Sequence, residues 1–445
     1  MTRTGGDAPH ADFILRGAGE LVTMAPGSAA AAEGELGIVR GGALAAREGR
    51  IVWVGPEREL AEAVRPTEDA VEADAEGAAV TPGFVDAHTH AVFAGSRAAE
   101  FEARLTGTSY AEILASGGGI NATVRATRQA SLAELEKLTA ARLDSFLIHG
   151  TTTLEIKSGY GLTTEEEIKM LRAARTPHPT RRAFTHLGAH FVPPEYEGRP
   201  DAYIDYVCAQ MLPAAGELAE FVDVFCDQGA FSVEQARRLL AAGAALGYKL
   251  RLHADEIALT GGARLAAELG ATSADHLVHI GPVEIQALRD AGVVAVLLPG
   301  TSFSLGAPYA PAKALLQAGA TVALASDFNP GTCYCENLQM VLALACQGMK
   351  LTPSEALRAA TIGGAAALGR ADQVGSLEVG KWADVLVLVS ADHRELGYHF
   401  GVNLVSDVIV GGRVVVRDGR AVPEPQQVGA LRAGAGGRVR HAAGR

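Results

Sequence analysis

From Gly83 to Asn329 the chain alternates short apolar runs with Ala-, Leu- and Glu-rich stretches, and this alternation limits its possible folds most tightly. Eight runs read as strands: GFVDAHTH from Gly83, TTTLEIKSG from Thr151, RAFTHLGAH from Arg182, FVDVFCDQ from Phe221, KLRLHADE from Lys249, ATSADHLV from Ala271, VVAVLLPG from Val293 and TVALASDFN from Thr321. Stretches such as SLAELEKLTAARLDSFLIHG and SVEQARRLLAAGAALG lie between them and carry helical spacing. Strands separated by helices pair in parallel and are covered on both faces. Eight such units favour a (β/α)8 barrel over an open doubly wound sheet, although periodicity alone does not show closure.

The flanks have a different character. DFILRGAGELVTM and GALAAREGRIVWVG precede the central region, and GSLEVGKWADVLVLV and VSDVIVGGRVVVRDG follow it. β-Branched runs broken by Gly and Asp are hairpin signals. They predict a smaller discontinuous β-sandwich domain built from both chain ends, residues 1–80 and 371–425, around a catalytic barrel at 81–370. Residues 426–445, rich in Gly, Ala and Arg, read as a disordered tail.

Composition narrows the function class. A net charge of −12, with no basic stripe or aromatic platform, argues against nucleic acid or an anionic membrane as partner and for a small molecule. No apolar run of about 18 residues suggests a spanning helix, and Met1–Asp12 has no apolar core behind a basic start. The 5 cysteines form no two-by-two metal pattern and read as reduced thiols, which predicts a cytoplasmic location.

In such a barrel, chemistry gathers at the carboxyl ends of the strands. Those ends carry His88-Thr89-His90, Tyr160, His190, His253 with Asp255 and Glu256 behind it, His276 and Asp327. His88 and His90 stand two apart on an extended segment, so their side chains share a face. With a third imidazole from His253 and the carboxylate of Asp327 they make an N3O set. That set suits Zn2+ or Fe2+ and leaves room for a water.

TPGFVDA leading into His-x-His, with a strand-end His and Asp far downstream, resembles the amidohydrolase superfamily. The resemblance implies metal-ligand roles for His88, His90, His253 and Asp327. Two-metal members carry a bridging Lys on the fourth strand; FVDVFCDQ has none, which implies one divalent ion per subunit, Zn2+ or Fe2+, and a non-ligating Lys157. Within the superfamily, HTHAVFAGSR, EIKSGYGL, LGAHFVPPEY, LHADE, ADHL and SDFNPGT resemble the imidazolonepropionase family. That likeness implies a homodimer that hydrolyses the cyclic amide C–N bond of 4-imidazolone-5-propanoate to N-formimidoyl-L-glutamate in histidine degradation.

The reaction then suggests roles. His276 and Glu256 are candidates for proton transfer, and Asp327 for orienting the attacking water. Arg97 offers a permanent cation for the substrate propionate. Tyr160, Tyr110 and His190 offer further contacts, as do Asn329, Gly331 and Thr332 of the DFNPGT turn. Asp255, His149, His186 and His279 read as structural. Two rivals share most of these features. One is another amidohydrolase, such as a guanine- or cytosine-type deaminase, which has no use for Arg97. The other is a barrel scaffold without catalysis, which has no use for the metal set.

Overall fold

A computed structural model describes residues 8–27, 32–108, 112 and 117–422; Tyr110 and the 426–445 tail lie outside them. The chain divides into two compact units. One comprises Phe84–Gly375 and Leu396–Gly401, and the other the described residues up to Gly83, Ser376–Glu395 and those from Val402 onward.

The first unit is an eight-stranded parallel barrel. Its strands are β1 Phe84–Asp86, β2 Thr151–Lys157, β3 Arg181–Ala189, β4 Phe221–Cys226, β5 Lys249–Ala254, β6 Ser273–His276, β7 Val294–Leu297 and β8 Val322–Leu324. They follow one another in sequence order around the sheet. Beyond the ordered ends of β1 and β8, a parallel bridge from Thr89 to Phe328 joins the two. His90 N–H donates to Phe328 O at 2.8 Å and Asp327 N–H to His88 O at 3.1 Å. The alternation in sequence therefore does resolve into a ring rather than an open sheet. Regular β1 is shorter than its motif: it stops at Asp86, and His88–His90 continue it as extended chain pinned by Thr89.

The helices begin where their side chains can satisfy free backbone N–H groups. Ser131 and Glu134 form a reciprocal capping box at the start of Leu132–Ile148, as Ser232 and Gln235 do for Val233–Ala245. These are the two stretches whose spacing predicts helix. Every residue of β2 is buried. Successive strand residues alternate between the barrel interior and the helical layer, so positions 155 and 157, 251 and 253, and 273 and 275 each share a side.

The second unit is a nine-stranded sheet drawn from both ends of the chain. Its junction is the antiparallel pairing of Val385–Leu388 with Ala79–Pro82, which sets Val385 opposite Pro82 and Leu386 opposite Thr81. Phe13, Leu15, Leu21, Leu44, Val385 and Ile409 share its core. No described helix is long and apolar enough to cross a membrane.

Candidate active site

The strand ends converge as their positions predict. His88, His90 and His253 can bring one ligand atom each to within 4.8 Å of one another, as can His88, His276 and Asp327. The ring centroids of His88 and His253 are 4.5 Å apart, and those of His88 and His90 5.3 Å. His88 Nε2 and His90 Nε2 lie 3.4 and 3.5 Å from Asp327 Oδ1. All four side chains are buried.

What aims the imidazoles is a set of charged residues inside the barrel, beneath them. His88 Nδ1 bonds Asp275 Oδ2 at 2.7 Å, and His253 Nδ1 bonds Asp223 Oδ1 at 3.1 Å. Each ring thus uses Nδ1 on a carboxylate and leaves Nε2 buried with no hydrogen-bond partner among the described residues. A buried orphan nitrogen is costly unless something binds it, and a carboxylate behind a histidine is the usual arrangement around a metal. The donor set therefore fits a divalent ion held by His88, His90, His253 and Asp327.

The carboxylates are held in turn. Lys157 Nζ lies 2.7 Å from Glu155, 2.8 Å from Asp223 and 3.7 Å from Asp275. Arg251 Nη2 reaches Asp275 at 3.2 Å and Ala87 O at 2.6 Å. Glu155, Lys157, Asp223, Arg251 and Asp275 are all fully buried. The ε-amine of Lys157 is occupied by this network. Burial opposes ionisation of Asp223 and Asp275, but the neighbouring cations and imidazoles outweigh it and hold both well below the usual carboxylate range. Burial and Lys157 likewise oppose charge on His88, yet Asp275 and Asp327 raise it to about 9. Burial pushes His253 well below its ordinary value, leaving a neutral ring.

Above the cluster opens a cavity of about 590 Å³, with Arg97, Tyr160, His190, Glu256, His276, Asn329, Gly331 and Thr332 in its lining. His276 Nδ1 is 3.6 Å from Glu256 Oε1. Burial raises the Glu256 carboxyl above its ordinary range, with His276 acting the other way. His276 and Asp327 adopt left-handed backbone, at φ +77° and +51°. For non-glycine residues such strain is on the order of 1 kcal/mol or more each and gathers at functional sites. His190 stacks on His90 at 5.1 Å and bonds Gly159 O through Nδ1 at 3.1 Å. Burial, with the charge of His90 a further cause, lowers it to about 3, which leaves it neutral. Tyr160 is buried 5.3 Å from His190, and burial keeps its phenol protonated.

Arg97 bonds Glu100 through Nε at 2.7 Å. Its guanidinium lies close against Gly331: a Cβ there would stand 2.3 Å from Arg97 Nη1. Asn329, Gly331 and Thr332 line the cavity, but their polar groups serve one another. Asn329 Oδ1 accepts from Gly331 N and Thr332 N, both at 2.8 Å, and Asn329 Nδ2 donates to Asp327 O at 2.7 Å. The turn shapes the wall and supports Asp327. Asp255 points away from the cluster and accepts from Thr260, Gly261 and Ala263 N–H groups. His149 bonds Ser145 O, and His186 is buried within β3.

Asp223, Asp275, Glu155 and Arg251 beneath the cluster, and Arg104 with the apolar rim of Phe101, Leu105, Ile257 and Leu305, are not among the residues that strand-end position points to. For the carboxylates a signal existed: an Asp inside an apolar strand such as FVDVF must find a buried partner. The rim carries no such mark.

The model of the Amidohydrolase family matches residues 233–415. The protein named imidazolonepropionase from Symbiobacterium thermophilum is 52% identical over 417 residues, spanning 92% of this chain and 98% of its own length. One of the same name from Geobacillus kaustophilus is 49% identical, covering 92% and 99%. Among solved structures, an adenosine deaminase from Xanthomonas campestris with bound zinc has a TM-score of 0.70 at 21% identity, over 94% of this chain and 95% of that one. The atrazine chlorohydrolase of Arthrobacter aurescens complexed with zinc has a TM-score of 0.63 at 21% identity, covering 93% and 97%. Likeness at that level shows a shared fold.

Proposed function

The chain belongs to the imidazolonepropionase family of amidohydrolases, and from that premise we infer that it hydrolyses the cyclic amide C–N bond of 4-imidazolone-5-propanoate to N-formimidoyl-L-glutamate. It is a hydrolase of carbon–nitrogen bonds. The observation that carries the assignment of residues is the meeting of His88, His90 and His253 at the cavity floor, two of them backed by carboxylates, with Asp327 3.4 and 3.5 Å from the first two.

His88, His90, His253 and Asp327 would hold one divalent ion, Zn2+ or Fe2+, in this reading. A divalent ion so held supplies the acidity that lowers the pKa of water from about 15.7 towards about 7. Asp327 orients the attacking water towards the ring carbonyl. Water oxygen bonds to that carbon, the carbon–nitrogen bond breaks, and the nitrogen takes a proton. His276 and Glu256, 3.6 Å apart, move that proton and stabilise charge on the carbonyl oxygen. Tyr160 and His190, both uncharged, orient the ring. Unpaired cysteines support a cytoplasmic setting.

Arg97 binds the propionate. With Nε on Glu100, the two terminal nitrogens have no hydrogen-bond partner among the described residues and can grip a carboxylate. Arg97→Ala should raise KM for imidazolonepropionate by at least about tenfold, as expected for one lost charge-assisted hydrogen bond, with a smaller change in kcat. Gly331→Ala should act in the same direction, because its methyl group would stand 2.3 Å from Nη1 and force the guanidinium to shift. Steady-state kinetics, following loss of ring absorbance, tests both; an unchanged KM in Arg97→Ala would withdraw the clamp. The same assay tests the function itself, since no turnover of imidazolonepropionate by the intact protein would overturn it.

A further inference from the structure

Asp227 follows β4 by one residue, is 4% exposed, and turns both carboxylate oxygens onto the loop that carries Glu256. Oδ2 accepts from Glu256 N at 2.6 Å and Ile257 N at 2.9 Å; Oδ1 accepts from Ala258 N at 3.2 Å and from Gln228 N at 2.6 Å. Residues 256–258 belong to no helix or strand, so their N–H groups have no regular ladder to enter. Three successive amides closing on one anion fix a backbone in place much as a bound phosphate does. The next part of the loop has its own anchor, since Asp255 accepts from Thr260, Gly261 and Ala263. His253, just before it, is held separately by Asp223. Asp227 therefore controls one short stretch, and that stretch carries the carboxyl facing His276.

We propose that Asp227 is a positioning residue for the proton transfer: by holding the amides of Glu256, Ile257 and Ala258, it sets the Glu256 carboxyl beside His276. This rests on Glu256 acting as a proton carrier, as argued above. Loss of Asp227 lets the loop drift while β5, His253 and Asp223 stay anchored. A displacement near 1 Å at a reacting group can lower a rate by about 100-fold. Both oxygens are in use, so an amide in place of the carboxylate can serve only one side, and Asp227→Asn should fall between the parent and Asp227→Ala.

The test compares Asp227→Ala, Asp227→Asn, Glu256→Gln and the double variant Asp227→Ala/Glu256→Gln, all with metal content measured. Expected is a kcat for Asp227→Ala about 10- to 100-fold below the parent, with KM within about twofold and metal at the parent level. The double variant should be no slower than Glu256→Gln, because Asp227 has nothing left to position. Parent-level kcat in Asp227→Ala, loss of metal from it, or losses that multiply in the double variant would each overturn the proposal. If Glu256→Gln itself turns over at the parent rate, the role given to Glu256 fails, and the inference built on it falls too. Should Asp227→Ala not fold, Asp227→Asn alone and combined with Glu256→Gln carries the same comparison.

Discussion

A His253→Ala variant is expected to emerge from purification without stoichiometric metal and with kcat/KM lowered by at least about 10,000-fold, since hydroxide-like water at neutral pH depends on the ion. The variant removes one of four proposed donors: His253 Nδ1 sits on Asp223, and its Nε2 is buried without a hydrogen-bond partner among the described residues. Alanine also leaves Asp223 short of its imidazole, although Lys157 stays 2.8 Å away to balance its charge. The barrel should therefore survive, which circular dichroism can check, while metal analysis reports the loss. Treating the parent protein with a chelator should remove activity likewise, and Zn2+ or Fe2+ should restore it. Parent-level turnover in a metal-free sample would end the metal assignment and revive the scaffold alternative.

His276→Ala should behave differently. The ring stands at the carboxyl end of β6, 5.5 Å from His88 and 5.3 Å from His253 between centroids, with Glu256 on its other side. If it moves a proton or stabilises the carbonyl oxygen, its loss should lower kcat by about 100- to 10,000-fold, the range found for general acid–base groups. KM and metal content should stay near those of the parent, because the four proposed ligands are untouched. Loss of metal together with activity would instead make His276 a ligand, and a kcat within about twofold of the parent would remove it from the chemistry. A left-handed backbone at a histidine, φ +77°, is itself a reason to expect function, since it persists only where the surroundings enforce it.

These two expectations draw on different kinds of information. His88, His90, His253, His276 and Asp327 could be picked out in the sequence because strand ends of a parallel barrel share one mouth, whatever the loops do. Eight apolar runs with helices between them favoured that arrangement without showing closure, and strand alternation placed His88 and His90 on one side. The helix starts at Ser131 and Ser232 were equally legible, as local side-chain chemistry decides them. The DFNPGT turn was legible as a turn but not in its use: Asn329 spends its amide on Gly331, Thr332 and Asp327. Whether such an amide faces a ligand or its own loop depends on how the chain closes, which composition does not encode.

The sequence by itself determined which donors the chain possesses and favoured, over an open sheet, a barrel with an accessory sheet that sets them at strand ends; closure itself came with the Thr89–Phe328 bridge. Only the tertiary structure decided which nitrogen of each imidazole points inward, because that choice is made by carboxylates on other strands: Asp275 for His88 and Asp223 for His253. Those partners are separated from their histidines by 187 and 30 residues. Parallel register sets His253 opposite Asp275 on β6 and Phe225 on β4, and Asp223, two residues before Phe225, shares that side. Periodicity is a property of neighbours along the chain. The aim of a ligand is a property of charges brought together across the barrel, where low polarity makes each unpaired group costly and so enforces a single arrangement.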